Sequence, residues 1–150
     1  HVDLGGGLGV PYKPEDNPPS PAEYGAMVAR VTRDWDVTLM FEPGRVIAGN
    51  SGVMITRVIR IKPGLGSDFV IVDAAMNDIF AKERVVDRLE TDDLGIFRTA
   101  GAYGATMANT YNSRPLVPEV LVDGDRYAVV AERIEPATIM AAEHVPDWLK

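Results

Sequence analysis

"HVDLGGGLGVPY", residues His1–Tyr12, decides how the rest of the chain is read. His1–Leu4 has the character of the end of a buried strand, and Gly5, Gly6, Gly7 and Gly9 follow at once. Glycines at a strand end leave backbone N–H groups open to a ligand, because no Cβ blocks close approach. The spacing is not the dinucleotide fingerprint, which opens a helix, and no Gly-Lys-Ser/Thr ending marks a P-loop. By itself the stretch reads more readily as a tight turn than as a phosphate site.

The chain continues through "YKPEDNPPSP" (Tyr12–Pro21), a Pro-rich polar loop, into a helix with a clear start. Ser20 can be the N-cap, Pro21 suits the first helical position, and Glu23 completes a capping box. Tyr24, Met27, Val28, Val31 and Trp35 then give one apolar face. "VTLMF" (Val37–Phe41) reads as a second strand and runs into "EPGR" (Glu42–Arg45), a polar loop. Strand, glycine loop, helix, strand and loop make a βαβ unit. In parallel α/β folds, loops after successive strands lie on the edge of the sheet where ligands bind. The nitrogens of Gly6 and Gly44 are therefore expected within about 10 Å of each other, close enough to share an anion.

Beyond Arg45 the chain is mostly β. "SGVMITRVIRIK" and "DFVIVDAAM" flank the turn "PGLGS", and "LGIFRTAGAY" is a strand entering a glycine loop. "PEVLVDGDRYAVVAERI" carries a hairpin signal at Asp123-Gly124, and a short helix is expected near "ATIMAAE". This places a domain boundary just after Arg45: residues 1–45, then a β domain over 46–150.

The 150 residues are enough for one ordinary domain with its own core. A net charge of −7 speaks against a general nucleic-acid binder. No apolar run approaches a membrane span and none reads as a signal peptide. Cysteine is absent, and His1 and His144 lie at opposite ends, so no metal site is expected. The composition fits a cytoplasmic protein.

Two further elements carry candidate chemistry. In "EPGR", Arg45 suits phosphate or carboxylate through its planar fork, and Gly44 offers a free N–H. A surface turn with a Glu42–Arg45 ion pair is the plainer reading. In "AGAYG", Tyr103 stands between Gly101 and Gly104, where its hydroxyl can donate to a ligand oxygen. A half-buried turn tyrosine fits that stretch as well.

Taken in order, "DLGGGLGVPY", "EPGR", "FVIVDAAMND" and "AGAYGATMANTYNSRPLVPEVLVDG" resemble the diaminopimelate decarboxylases over nearly the whole chain. Ornithine and arginine decarboxylases share the first two elements only. The resemblance implies an α/β TIM-type barrel, of which only the last strands and one helix are present, followed by a mostly antiparallel β domain. It implies the cofactor pyridoxal 5′-phosphate (PLP), a small amino-acid substrate, a homodimer with shared active sites, and loss of CO₂ from meso-2,6-diaminopimelate to give L-lysine. A decarboxylase of another basic amino acid, or a non-catalytic relative that binds a partner, are the alternatives.

On the same resemblance, Gly5, Gly6, Gly7, Gly44 and Arg45 hold the phosphate, and Glu42 faces the pyridine nitrogen. Tyr103 donates near the cofactor, and Arg45 and Tyr103 reach the substrate. Asn77 and Asp78 receive no role. Lys13, Lys62, Lys82 and Lys150 match no Schiff-base motif, and the family's Cys-Glu motif is missing. Asp78 runs directly into "IFAKER", which in the family comes tens of residues later. A break in the physical chain is therefore expected between Asp78 and Ile79.

Overall fold

The computed structural model describes residues 1–78 and 85–149. In chain order the elements are β1 (Val2–Asp3), α1 (Pro21–Val31), β2 (Leu39–Met40), α2 (Gly44–Ala48), β3 (Met54–Lys62), β4 (Phe69–Val72), β5 (Leu94–Phe97), α3 (Gly104–Met107), β6 (Glu119–Asp123), β7 (Arg126–Ala131) and α4 (Pro136–Met140). Single 3-10 turns occupy Gly49–Ser51, Tyr111–Ser113 and Asp147–Leu149. The expected break at Asp78–Ile79 involves Ile79 and lies outside the described residues.

The residues form two compact units, His1–Ile55 with Leu94–Tyr103, and Thr56–Asp93 with Gly104–Lys150. The first contains the expected βαβ arrangement: β1 runs parallel to β2, with Val2 opposite Leu39 and Asp3 opposite Met40. Helix α1 forms where its start signal lies. The Ser20 hydroxyl accepts the Glu23 N–H at 3.2 Å, and the Glu23 carboxylate accepts the Ser20 N–H at 2.8 Å. That reciprocal pair satisfies two backbone groups a helix leaves open. It also holds the Glu23 carboxyl below its ordinary pKa, chiefly through the Ser20 N–H. The helix closes with the Thr32 hydroxyl on the Val28 carbonyl at 2.9 Å.

The apolar face of α1 is legible but largely uncovered. Val28 is buried and Tyr24 meets Phe41 edge-on, with ring centroids 6.2 Å apart. Met27, Val31 and Trp35 stay exposed, as do Met40 and Phe41. Strand β1 is likewise only half-covered. The expected core of an ordinary domain is thus corrected: among the described residues only Leu8, Val10, Val28 and Val58 are buried apolar side chains. Two strands and one helix cannot enclose a barrel interior, and no closed barrel is present among the described residues.

The first unit extends past Arg45 because two glycines meet. Ala100 donates to the Gly52 carbonyl at 2.9 Å and Gly101 to the Gly49 carbonyl at 3.0 Å. A Cβ on Gly52 would lie 2.8 Å from the Gly101 α-carbon, and one on Gly101 would strike the Ala48 carbonyl oxygen. The "AGAY" loop is therefore held against the segment that follows α2.

In the second unit β3 and β4 form an antiparallel pair running from Val58–Val72 to Lys62–Phe69, with a bulge between Val58 and Arg60. The Thr56 hydroxyl and the Arg57 N–H both donate to Asp73 Oδ1, at 2.5 and 2.9 Å. Arg114 donates to the Asp73 carbonyl at 2.5 Å and stands 3.8 Å from the Asp78 carboxylate. Asn77 Nδ2 donates to the Asn109 carbonyl at 2.6 Å. Strands β6 and β7 make the expected hairpin, with Asp123 opposite Arg126. Its two loop residues are Gly124 and Asp125, and only Gly124 has a left-handed φ of +63°. Glycine at the first loop position is what a type II′ turn needs.

The Asp78 side chain is 1% exposed, and both its Oδ1 and Arg114 Nε are buried without a hydrogen-bond partner. Removing Arg114 takes the nearby cation from that buried carboxylate and leaves it the Ala75 N–H at 2.9 Å. Arg114→Met should lower whole-chain stability by about 1–3 kcal/mol in urea denaturation. Adding Asp78→Asn should recover part of the loss. The Thr56 hydroxyl, then the Arg57 N–H, hold the Asp73 carboxyl below its ordinary value of 3.8. A depressed native pKa stabilises fully above 3.8 and ceases to stabilise as pH falls through the lower native value. Asp73→Asn should therefore flatten the acid limb of the stability profile below about pH 4.

Candidate functional site

The glycine loop and "EPGR" continue the β1–β2 ladder beyond its ends. Leu4 donates to the Met40 carbonyl at 3.0 Å, and Glu42 donates back to the Gly5 carbonyl at 2.8 Å. The Glu42 carbonyl oxygen then occupies the place a Cβ on Gly6 would take. The same oxygen accepts the Gly44 N–H at 2.8 Å. With standard backbone dimensions this shared oxygen keeps the Gly6 and Gly44 nitrogens within about 8 Å. Both loops therefore lie on one edge of the pair, as expected.

The loop's shape is set locally. The Asp3 carboxylate accepts the Gly5 N–H at 2.8 Å, an Asx turn at the end of β1. Gly5 and Gly7 have φ of +69° and +88°, which side chains rarely adopt. Among the described residues no partner takes the N–H of Gly6 or Gly7, and both glycines are exposed. Gly44 differs from expectation: its N–H is not free but engaged with Glu42. "EPGR" is also not wholly a loop, because Gly44 and Arg45 open α2.

The ion pair of the plainer reading of "EPGR" does not form between Glu42 and Arg45. Among the described residues neither Glu42 nor Arg45 has a salt-bridge partner, and both are exposed. Instead the Arg45 guanidinium lies over the Tyr103 ring, 5.3 Å from its centroid. An exposed i,i+3 ion pair is worth about 0.3–0.5 kcal/mol. An exposed cation–π contact, at about 0.5–1 kcal/mol, is of comparable size. Tyr103 is 53% exposed and has a φ of +69°. It is not a core aromatic, and its backbone is held where a residue with a Cβ is strained.

All seven candidates, Gly5, Gly6, Gly7, Glu42, Gly44, Arg45 and Tyr103, fall in the first compact unit. Sequence reasoning missed Asp3, whose position two residues before Gly5 is the available signal. It also missed Gly52, whose partner lies 49 residues away and leaves no local mark. Two unclaimed N–H groups and a guanidinium with no carboxylate partner among the described residues are groups suited to a phosphate. No cluster of three His, Cys, Asp or Glu that could hold a metal is found among the described residues. No helix among them is long and apolar enough to cross a membrane.

No family profile matches this sequence. Curated relatives do. The diaminopimelate decarboxylase of Zymomonas mobilis subsp. mobilis is 41% identical over 185 aligned positions, covering 99% of this chain and 44% of the relative. The Vibrio cholerae serotype O1 enzyme of the same name is 38% identical, over 97% of this chain and 43% of the relative. A crystal structure of diaminopimelate decarboxylase from M. jannaschii in complex with L-lysine superposes with a TM-score of 0.87 at 26% identity. It covers 99% of this chain and 44% of that one. The Zymomonas alignment has 185 positions, 35 more than the 150 residues here, so that relative carries at least 35 residues that this chain lacks. On sequence and fold together, the chain is similar to diaminopimelate decarboxylases over nearly its whole length and spans about 44% of the length of the curated relatives it matches.

Proposed function

We propose that this chain forms part of a PLP-dependent carboxy-lyase that removes CO₂ from the D-centre of meso-2,6-diaminopimelate, giving L-lysine in the last step of lysine biosynthesis. The observation that carries the reading is the meeting of the glycine loop, "EPGR" and Tyr103 within one compact unit. Residues 1–45 are then the closing part of a PLP-binding (β/α)₈ barrel, and 46–150 a C-terminal β domain. The enzyme would act in the cytoplasm as a homodimer with shared active sites, free of nucleic acid and membrane.

Gly6 and Gly7 present N–H groups to the cofactor phosphate, with Gly5 setting the turn. Arg45 adds the cationic fork, which suits phosphate and a substrate carboxylate alike. Gly44 is no donor here, since its N–H is spent on the Glu42 carbonyl. PLP, when bound, supplies the electron sink for the pair that remains when CO₂ leaves. The Glu42 carboxylate keeps the proton on the pyridine nitrogen, and the absence of a cation on it leaves it available for that task. Tyr103 directs its hydroxyl toward a cofactor or substrate oxygen.

The test is release of CO₂ and formation of L-lysine from meso-2,6-diaminopimelate by the intact enzyme reconstituted with PLP. Activity on ornithine or arginine but not on diaminopimelate would overturn the substrate assignment. Glu42→Gln should keep PLP bound, seen by its visible absorbance, and depress kcat with little change in PLP affinity. A Glu42→Gln enzyme with undiminished kcat would remove the carboxylate from the chemistry. Gly6→Ala must push against the Glu42 carbonyl and separate the two loops. It should weaken PLP binding at least about tenfold, the equivalent of a lost charge-assisted hydrogen bond of about 1.5 kcal/mol.

A further inference from the structure

Arg45 faces a choice that its neighbours decide. Glu42 lies three residues before it with no cation of its own among the described residues, yet the guanidinium rests on the Tyr103 ring. The ring is not there by apolar burial, being more than half exposed. It is placed by its loop. Ala100 and Gly101 are pinned by hydrogen bonds to Gly52 and Gly49, and Gly101 has no room for a side chain. Two residues further on, Tyr103 takes a left-handed backbone. Strain of that kind persists only where the surroundings over-determine it.

We infer that Tyr103 is a positioning residue for Arg45: the face of its ring, rather than its hydroxyl, fixes the guanidinium toward an anion and keeps it off the Glu42 carboxylate. The inference rests on the phosphate-binding reading of this site. It gives Tyr103 a second part, since a residue that served only as a hydroxyl donor would have no need of a face turned to Arg45. It also explains how an acid and a guanidinium three residues apart can serve two different groups without neutralising each other.

The test measures coupling rather than loss alone. In the intact protein, PLP affinity is measured for Arg45→Ala in three backgrounds: unaltered, Tyr103→Phe and Tyr103→Leu. If the face orients the guanidinium, the Arg45→Ala penalty is the same in the unaltered and Tyr103→Phe backgrounds. It shrinks by about two- to fivefold in Tyr103→Leu, the magnitude of an exposed cation–π contact. An equal penalty in all three backgrounds overturns the inference. A penalty that shrinks equally in Tyr103→Phe assigns the effect to the hydroxyl and overturns it too. A second readout needs no cofactor: the upfield ring-current shift of the Arg45 Hδ protons should survive Tyr103→Phe and vanish in Tyr103→Leu. If the unaltered protein binds neither PLP nor inorganic phosphate, the functional reading fails. The Arg45 shift then still decides whether the ring holds the guanidinium, and its absence would overturn the contact itself.

Discussion

One oxygen atom fixes the geometry of the candidate site. The carbonyl oxygen of Glu42 stands against the bare α-carbon of Gly6 and accepts the N–H of Gly44. Without a glycine at position 6 the two loops could not approach, and the hydrogen bonds that extend the β1–β2 ladder would have to part. With it, a two-residue parallel pair is prolonged by alternating bonds from Leu4 to Met40 and from Glu42 to Gly5, and a turn bond from Gly44 to Glu42 follows. Arg45 is delivered from the last of these as the second residue of α2. The position of the cationic group is thus a consequence of a missing methyl group at the sixth residue of the chain.

Much of this could be read from local sequence wherever the cause is local. The capping box of Ser20 and Glu23 marks its helix, and the Gly124 turn marks its hairpin, because both act over two or three residues. The same logic explains the misses. Helix α2 has Pro43 at its N-cap and no side-chain cap, so nothing announces its start, and "EPGR" reads as loop. The contact of Gly52 with Gly101 joins residues far apart in the chain, and no window of sequence contains both. The Glu42–Arg45 pair is a natural reading of spacing alone, but the competing aromatic ring arrives from 58 residues further on. Burial was overestimated for a related reason: apolar periodicity says which face seeks cover, not whether cover is present.

The second unit repeats the lesson with polar groups. "AMND" and "YNSRP" are among the segments in which the resemblance to the decarboxylases was seen, and in the fold they are tied together. Arg114 reaches both the Asp73 carbonyl and the Asp78 carboxylate, while Asn77 holds the carbonyl of Asn109. Separation in sequence hides this joint from any local reading of Asn77 and Asp78. Their part within this unit is to brace the chain where β4 ends.

The β6–β7 hairpin carries a consequence of another kind. Val120, Leu121, Val122, Tyr127, Val129 and Val130 are all at least half exposed, so apolar groups emerge on both faces of a ribbon only two strands wide. Such a ribbon in water is marginal by itself. Its order is then linked to whatever surface it can lie against, and that linkage obeys mass action. For this stretch, the melting temperature would be a property of the solution, rising with the concentration of that surface, rather than a fixed property of the polypeptide.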